Sequence, residues 1–240
     1  MHSPFVFDFI LHVLNNKKHY QAPVEIEQLR KQLLRDQRMI EVNDLGAGSR
    51  KRSAQQKTIA QIAGSAPKPP KYAQLLFRLV KHYQPQSIIE LGTSLGLTTA
   101  YLSNVNEAAT IKTIEGSPAI MNIAKENLSV LGCRNVNFFE GNFDQVLPQL
   151  LKETKQVDLA YIDGNHRYAP TMQYFHELLP KVHADSILVF DDIHWSAEME
   201  KAWAEIRQHP AVQYSIDIFF LGFVFFRSEF KIKQDFIIKF

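Results

Sequence analysis

Residues 87–103, SIIELGTSLGLTTAYLS, constrain this chain more than any other stretch. An apolar run holding Glu90 near its end is followed by a turn bracketed by Gly92 and Gly96, and then by an apolar-periodic stretch from Leu97. Residues 87–91 therefore read as a buried strand, 92–96 as a glycine turn and the residues from 97 as a helix. Strand, glycine turn and helix in that order belong to a parallel α/β sheet, where the turn brings backbone N–H groups up to a bound nucleotide. A second acid, Glu115, ends the next strand-like run, TIKTIE, 25 positions after Glu90. At that distance a doubly wound fold sets an acid against the two hydroxyls of a ribose.

The alternation continues downstream. Helices are expected over 119–131, 170–179 and 197–208, and strands over 136–140, 157–163 and 186–191. Two final strands, 212–219 and 223–227, are expected to form a hairpin through Leu221-Gly222, which makes the last strand antiparallel. Glu90, Glu115, Asp163 and Asp191 all close strands, so they fall along the carboxyl edge of the sheet, where open α/β folds bind ligands. Asp192 follows directly. The N-terminal third reads as helices over 4–15, 24–35, 53–63 and 72–82, with PKPP at 67–70 as punctuation. VNDLGAGS at 42–49 resembles a second nucleotide loop, but no acid-terminated strand follows at the right distance, so it reads as a turn or part of a lid. Arg50, Lys51 and Arg52 read as a solvent-facing charge run.

Composition limits the partners. Residues 1–70 hold 11 Lys and Arg against 6 Asp and Glu, and the remainder 16 against 19. A mildly basic N-terminal part favours a solvated helical surface over nucleic-acid binding, with no aromatic-rich RNA-binding motif beside it. Cys133 is the single cysteine, so no intramolecular disulfide forms, which suits a reducing compartment. The N-terminus has no basic region or small-residue cleavage site, and the apolar run 216–226 is too short for a bilayer. A soluble, cytoplasmic protein with no membrane partner is expected, and a homodimer stays open.

With these motifs in order, the sequence resembles the class I S-adenosylmethionine-dependent methyltransferases. Within them it is most similar to the metal-dependent O-methyltransferases of the catechol O-methyltransferase type. The resemblance runs from Lys71 to Arg227. IIELGTSLGLTTAYLS matches the first cofactor loop, TIEGSPAIMNIAKENL the ribose-binding segment and EGNFDQVLPQL the adenine-flanking segment. DLAYIDGNHRYAPT and LVFDDIHW match the two metal-bearing strand ends. The resemblance implies a Rossmann-like, doubly wound α/β fold with a seven-stranded, mostly parallel sheet (residues 71–240) under an N-terminal helical cap (residues 1–70). It further implies methyl transfer from S-adenosylmethionine to an oxygen of a small-molecule acceptor, assisted by Mg²⁺.

Carried over by position, Glu90, Gly92, Thr93, Ser94, Gly96 and Thr98 surround the methionine part of the cofactor, with Gly92 admitting the chain without a Cβ. Glu115, with Gly116 and Ser117, takes the ribose. Asn142, Phe143 and Asp144 flank the adenine. Asp163, Asp191 and Asp192 hold Mg²⁺, a hard cation that prefers carboxylate oxygens and would acidify and align the acceptor hydroxyl. The family commonly has Asn where this chain has Asp192, which also reads as a helix N-cap. His166 stands where the family has a lysine base, and is either the general base or a loop histidine that helps to bind substrate. His194 reads as a further ligand or a surface loop residue.

Other classes fit less well. Gly92 to Gly96 satisfies the G-x-S-x-G pattern of a hydrolase nucleophile elbow, but no strands precede it and no HGGG-type segment is present. A nicotinamide dehydrogenase needs G-x-G-x-x-G, and Ser94 and Leu97 break it. An RNA-directed methyltransferase and a non-catalytic nucleotide-binding scaffold share the expected fold.

Overall fold

The computed structural model describes residues 3–16, 18, 20–42, 55–65, 68–230 and 232–240. The loop-like segment 43–49 and the basic run 50–52 lie outside the described residues. The chain opens with α1 (Pro4–Phe9), which runs into a π-helical turn at Ile10–Leu14. Next come α2 (Gln21–Leu33), β1 (Met39–Val42), β2 (Gln55–Thr58), α3 (Ile59–Ser65) and α4 (Pro70–Tyr83). The alternating part runs β3 (Ser87–Leu91), α5 (Leu97–Ser103), β4 (Thr110–Glu115), α6 (Pro118–Val130), β5 (Val136–Glu140) and α7 (Phe143–Lys152). It continues with β6 (Leu159–Ile162), α8 (Tyr168–Leu178), β7 (Ile187–Asp191), α9 (Ala197–Gln208), β8 (Tyr214–Asp217), β9 (Leu221–Phe225) and β10 (Gln234–Ile237).

The main sheet has eight strands in the order β10-β8-β9-β7-β6-β3-β4-β5, with β3 to β7 mutually parallel and β9 antiparallel to both β7 and β8. Central strands are buried on both faces, so successive residues alternate between two cores. Ile88, Leu159, Tyr161, Ile187 and Val189 face a core built with α1 and α4, through Phe9, Val13, Leu75 and Leu79. Ile89, Ala160, Ile162, Leu188 and Phe190 face the other, built with α7, α8 and α9. A third cluster joins α2, α3 and Val42 to α5 and α6. Within it Tyr101 of α5 donates a 2.7 Å hydrogen bond to Glu27 of α2.

Three sequence expectations are corrected here. Residues 53–63 do not form one helix. Residues 55–58 pair antiparallel with 39–42, and the helix begins only at Ile59. Its boundary is a capping box: Thr58 N–H donates to Gln61 Oε1 (2.8 Å) and Gln61 N–H to Thr58 Oγ1 (3.1 Å). The described N-terminal part thus pairs helices with a two-stranded ribbon rather than being helical throughout. Leu221-Gly222 is not the hairpin turn. The chain reverses at 218–220, and Gly222 lies inside β9, where a Cβ would come within 2.7 Å of the Trp203 ring. Finally, the sheet has eight strands rather than seven, because β10 adds to the open edge of β8 in parallel register, pinned by Ser215 Oγ on Asp235 at 2.5 Å.

Phe9 has no exposed surface and meets Phe223 and Phe225 edge-on at 5.3 and 6.0 Å between ring centres. Truncation leaves a cavity that the rigid sheet cannot close. Phe9→Ala is expected to cost about 3–5 kcal/mol, measured as a lower urea midpoint at unchanged slope.

Candidate functional site

The five parallel strands end on one edge. Connections from β3 run outward through β4 to β5, and the chain then crosses to β6 and β7 on the other side of β3. The β3/β6 junction is therefore the switch point at which such sheets bind ligands. A cleft of about 510 Å³ opens there. Gly92, Ser94, Glu115, Gly116, Ser117, Asn142 and Phe143 line one half. Asp163, His166, Asp191, Asp192, Lys68 and Trp195 line the other, and Val42, Lys57, Ile62 and Ser65 of the N-terminal part close a wall.

In the first half, the glycine turn is anchored on neighbouring strand ends. Gly92 and Thr93 N–H both donate to the Ile114 carbonyl, at 3.0 and 3.2 Å. Gly92 has φ +104°, and a Cβ there would sit 2.0 Å from the Asp163 carbonyl oxygen. The glycine is thus required by the end of β6, in addition to any ligand. Ser94 N–H donates to Glu115 Oε2 at 2.9 Å and Ser117 N–H to Oε1 at 3.0 Å, so one carboxylate ties the loops after β3 and β4 together. Ser94 Oγ is buried without a hydrogen-bond partner among the described residues, and a bound polar ligand would satisfy it. Asn142 caps α7 by accepting from Asp144 N–H at 2.9 Å. Phe143 lies on Gly164, where a Cβ would approach its ring to 2.6 Å.

Five residues expected at the cofactor do not line the cleft. Thr93 is buried against Thr113, Gly96 packs under Leu128, Thr98 is buried in α5, and Asp144 accepts from Tyr174 Oη at 2.7 Å. Glu90 lies beneath the turn with no exposed surface. Its Oε2 accepts from Thr99 and Thr113, at 2.6 and 2.7 Å, while Oε1 has no partner among the described residues. Burial pushes its pKa up to about 8 against those two hydroxyls, so the carboxyl is largely neutral at pH 7.

The second half is acidic. Tyr161 Oη donates to Asp191 Oδ2 at 2.9 Å and to Asp163 Oδ2 at 3.1 Å, joining the ends of β6 and β7. His166 Nε2 lies 3.5 Å from Asp163 and 4.0 Å from Asp192. The Lys68 ammonium reaches Asp191 Oδ1 at 2.5 Å and Asp192 Oδ1 at 2.7 Å. Burial, and then the Asp163 charge, push Asp191 well above the usual carboxylate range, with Lys68 opposing. Burial acts to raise Asp163, but His166, Asp191 and Lys68 together hold it below the usual carboxylate range. Desolvation works against the Lys68 charge, yet Asp191 and Asp192 keep its pKa above the ordinary lysine value.

Residues 89–193 match a family model described as a methyltransferase domain. That match spans the stretch from β3 to just past β7. No curated protein matches it significantly. Among solved structures it is similar to the O-methyltransferase TomG from Streptomyces achromogenes in complex with SAM, at 16% identity and TM-score 0.64 over 93% of this chain and 95% of that one. It is also similar to an O-methyltransferase from Bacillus cereus in complex with SAH, at 17% identity and TM-score 0.62 over 92% and 97%. An SAH-bound methyltransferase from Podospora anserina matches at 15% identity and TM-score 0.63 over 95% and 98%. These likenesses are of fold.

The sheet brings Asp163, Asp191 and Asp192 to one edge, as expected of a Mg²⁺ site, but their surroundings do not fit a resident divalent ion. A lysine ammonium already contacts Asp191 and Asp192. Among the described residues, the group of acids and histidines whose ligand atoms all lie within 4.8 Å of one another is Asp8, His12 and His82, far along the chain from this edge. Asp192 is in the left-handed region (φ 51°) and is not a helix cap, because Ser196 caps α9 by accepting from Met199 N–H at 3.2 Å. His194 is held by Asp217 at 2.9 Å and stacks on Phe219. Lys68 and Trp195 escaped the sequence reading. Lys68 sits in a proline run, and Trp195 four residues past a strand-end acid was the available signal for an aromatic wall.

Glu90 gives this site a pH signature. An acid whose folded pKa (about 8) lies above its reference of 4.5 stabilises the fold most below the lower value, and that contribution is lost as pH rises toward the higher. Wild-type melting temperature is expected to carry this decline between about pH 5 and pH 8. Glu90→Gln, which keeps the shape without the titration, is expected to flatten it; an unchanged slope would place the titration elsewhere.

Proposed function

We propose that this chain is a methyltransferase that transfers a methyl group from S-adenosylmethionine to a hydroxyl oxygen of a small, aromatic acceptor. The observation that carries the reading is one cleft lined on one side by Glu115 and Phe143 and on the other by Lys68, His166 and Trp195. Glu115, fixed by two backbone N–H groups, faces the position of a ribose diol, and a carboxylate oxygen accepts more than one hydrogen bond. Phe143 offers a ring face to adenine, and the unpartnered Ser94 Oγ offers a bond to the methionine end.

Bound S-adenosylmethionine would supply an electrophilic sulfonium methyl, which passes to the acceptor oxygen as its bond to sulfur breaks and S-adenosylhomocysteine leaves. The chain's part is to hold that oxygen and take its proton. His166, beside Asp163 and facing the cleft, suits the general base, since a neutral imidazole accepts a proton near pH 7. The proton leaves the hydroxyl as the oxygen–methyl bond forms, and ends on His166. Trp195 is 73% exposed at the cleft wall, a flat apolar face against which an aromatic acceptor can stack. Val42, Lys57, Ile62 and Ser65 line the same cleft, which supports a role for the N-terminal part in acceptor choice. Because Asp191 and Asp192 already hold Lys68, no Mg²⁺ enters this reading. No described helix is long and apolar enough to cross a membrane.

Calorimetric titration with S-adenosylhomocysteine tests the cofactor half. Saturable binding is expected, weakened about 10-fold or more in Glu115→Ala through loss of charge-assisted hydrogen bonds. No binding to the wild type would end the methyltransferase reading of this cleft. On a screen of hydroxylated aromatics, His166→Ala is expected to lower turnover about 10²–10⁴-fold while S-adenosylhomocysteine affinity stays the same. A variant as active as the wild type would remove His166 from the reaction.

A further inference from the structure

We infer that Lys68 is the resident cation of the acidic edge, standing where a divalent metal ion would otherwise bridge the ends of β6 and β7. This deepens the reading of that edge as the acceptor half of the cleft. Three aspartates at one sheet edge repel one another and tend to take up protons unless a cation answers them. Here two of the charges are answered from within the chain. The Lys68 ammonium lies 2.5 Å from Asp191 Oδ1 and 2.7 Å from Asp192 Oδ1. Lys68 is only 8% exposed despite its length, so these are desolvated, charge-assisted contacts rather than a surface pair.

The lysine is delivered by stiff backbone. Pro69 is extended (φ −52°, ψ 144°) and caps α4, and Pro70 opens that helix. Two successive prolines fix φ on the C-terminal side of Lys68, and α4 is itself locked into the sheet by Leu75, Leu76, Leu79 and Val80, none with exposed surface. The Phe220 ring stands 5.9 Å from the ammonium, a further cation-favouring wall. A Mg²⁺ ion binds carboxylate oxygen at about 2.0–2.1 Å. Bound to Asp191 Oδ1 or Asp192 Oδ1, it would share that oxygen with a full positive charge at hydrogen-bond distance. Lys68 and a divalent ion therefore exclude each other at this edge. An ammonium carries three donors, two of them taken by the aspartates, and Lys68 lines the cleft.

The test is a Mn²⁺ titration followed by electron paramagnetic resonance of the free ion, on the wild type, Lys68→Met, Asp191→Asn and Lys68→Met/Asp191→Asn. The wild type is expected to show no Mn²⁺ binding that Asp191→Asn removes; any weak binding at Asp8, His12 and His82 is insensitive to that change. Lys68→Met uncovers three carboxylates with no counter-ion, and is expected to gain a Mn²⁺ site that Asp191→Asn then abolishes. Wild-type Mn²⁺ binding lost in Asp191→Asn overturns the inference, and so does a Lys68→Met protein that gains no site while still binding S-adenosylhomocysteine. The wild-type arm decides even if Lys68→Met does not fold. The S-adenosylhomocysteine titration reports on the cofactor half alone, so failure of the methyltransferase reading shows there and failure of this inference in the Mn²⁺ signal.

Discussion

At the carboxyl edge of the sheet, β3 and β6 leave their ladder so close together that no Cβ fits between Gly92 and the Asp163 carbonyl, which it would approach to 2.0 Å. The rest of the site depends on that contact. The turn after β3 lies flat against the end of β6 because position 92 is glycine, and from there Ser94 N–H reaches Glu115 on β4 at 2.9 Å. The same edge sets Asp163 beside Tyr161 and Asp191, so the two halves of the cleft share one floor. A site built on strand ends that brace each other needs little reorganisation when a ligand arrives.

Below that floor the polar groups are balanced rather than simply buried. Glu90 is kept neutral by burial, with Thr99 and Thr113 donating to one of its oxygens. Asp191 shares Tyr161 with Asp163 and Lys68 with Asp192. Removing one member of such a network leaves its partners desolvated and unanswered, which costs more than the original bond contributes.

Much of this was legible in the sequence, for local reasons. Strand periods, the glycine turn and acids at strand ends are patterns within a few residues, and they placed β3 to β7 and the carboxyl edge. The errors came where a local pattern had two readings. Gly222 reads as a turn, and only the Trp203 ring packed over it shows why a strand needs a glycine there. Thr58 and Gln61 form a capping box that the sequence contains, but it was absorbed into a longer helix. Lys68 was beyond reach for a different reason: its partner Asp192 lies 124 positions away, and no periodicity links a lysine among prolines to a strand end that far along the chain. Glu90 and Asp144 were legible as acids beside the loops, but Glu90 turns inward to Thr99 and Thr113, and Asp144 accepts from Tyr174 at the surface instead.

A lysine at this edge also changes which molecules the cleft rewards. A divalent ion gathers several oxygens at once, so it favours acceptors whose neighbouring oxygens chelate it. An ammonium is a compact point charge that donates separate hydrogen bonds, and a vicinal pair of oxygens holds no geometric advantage over a single one. Discrimination among acceptors then passes from denticity to shape: to the open Trp195 face on one side, and to the wall that Val42, Lys57 and Ile62 bring from the N-terminal part on the other.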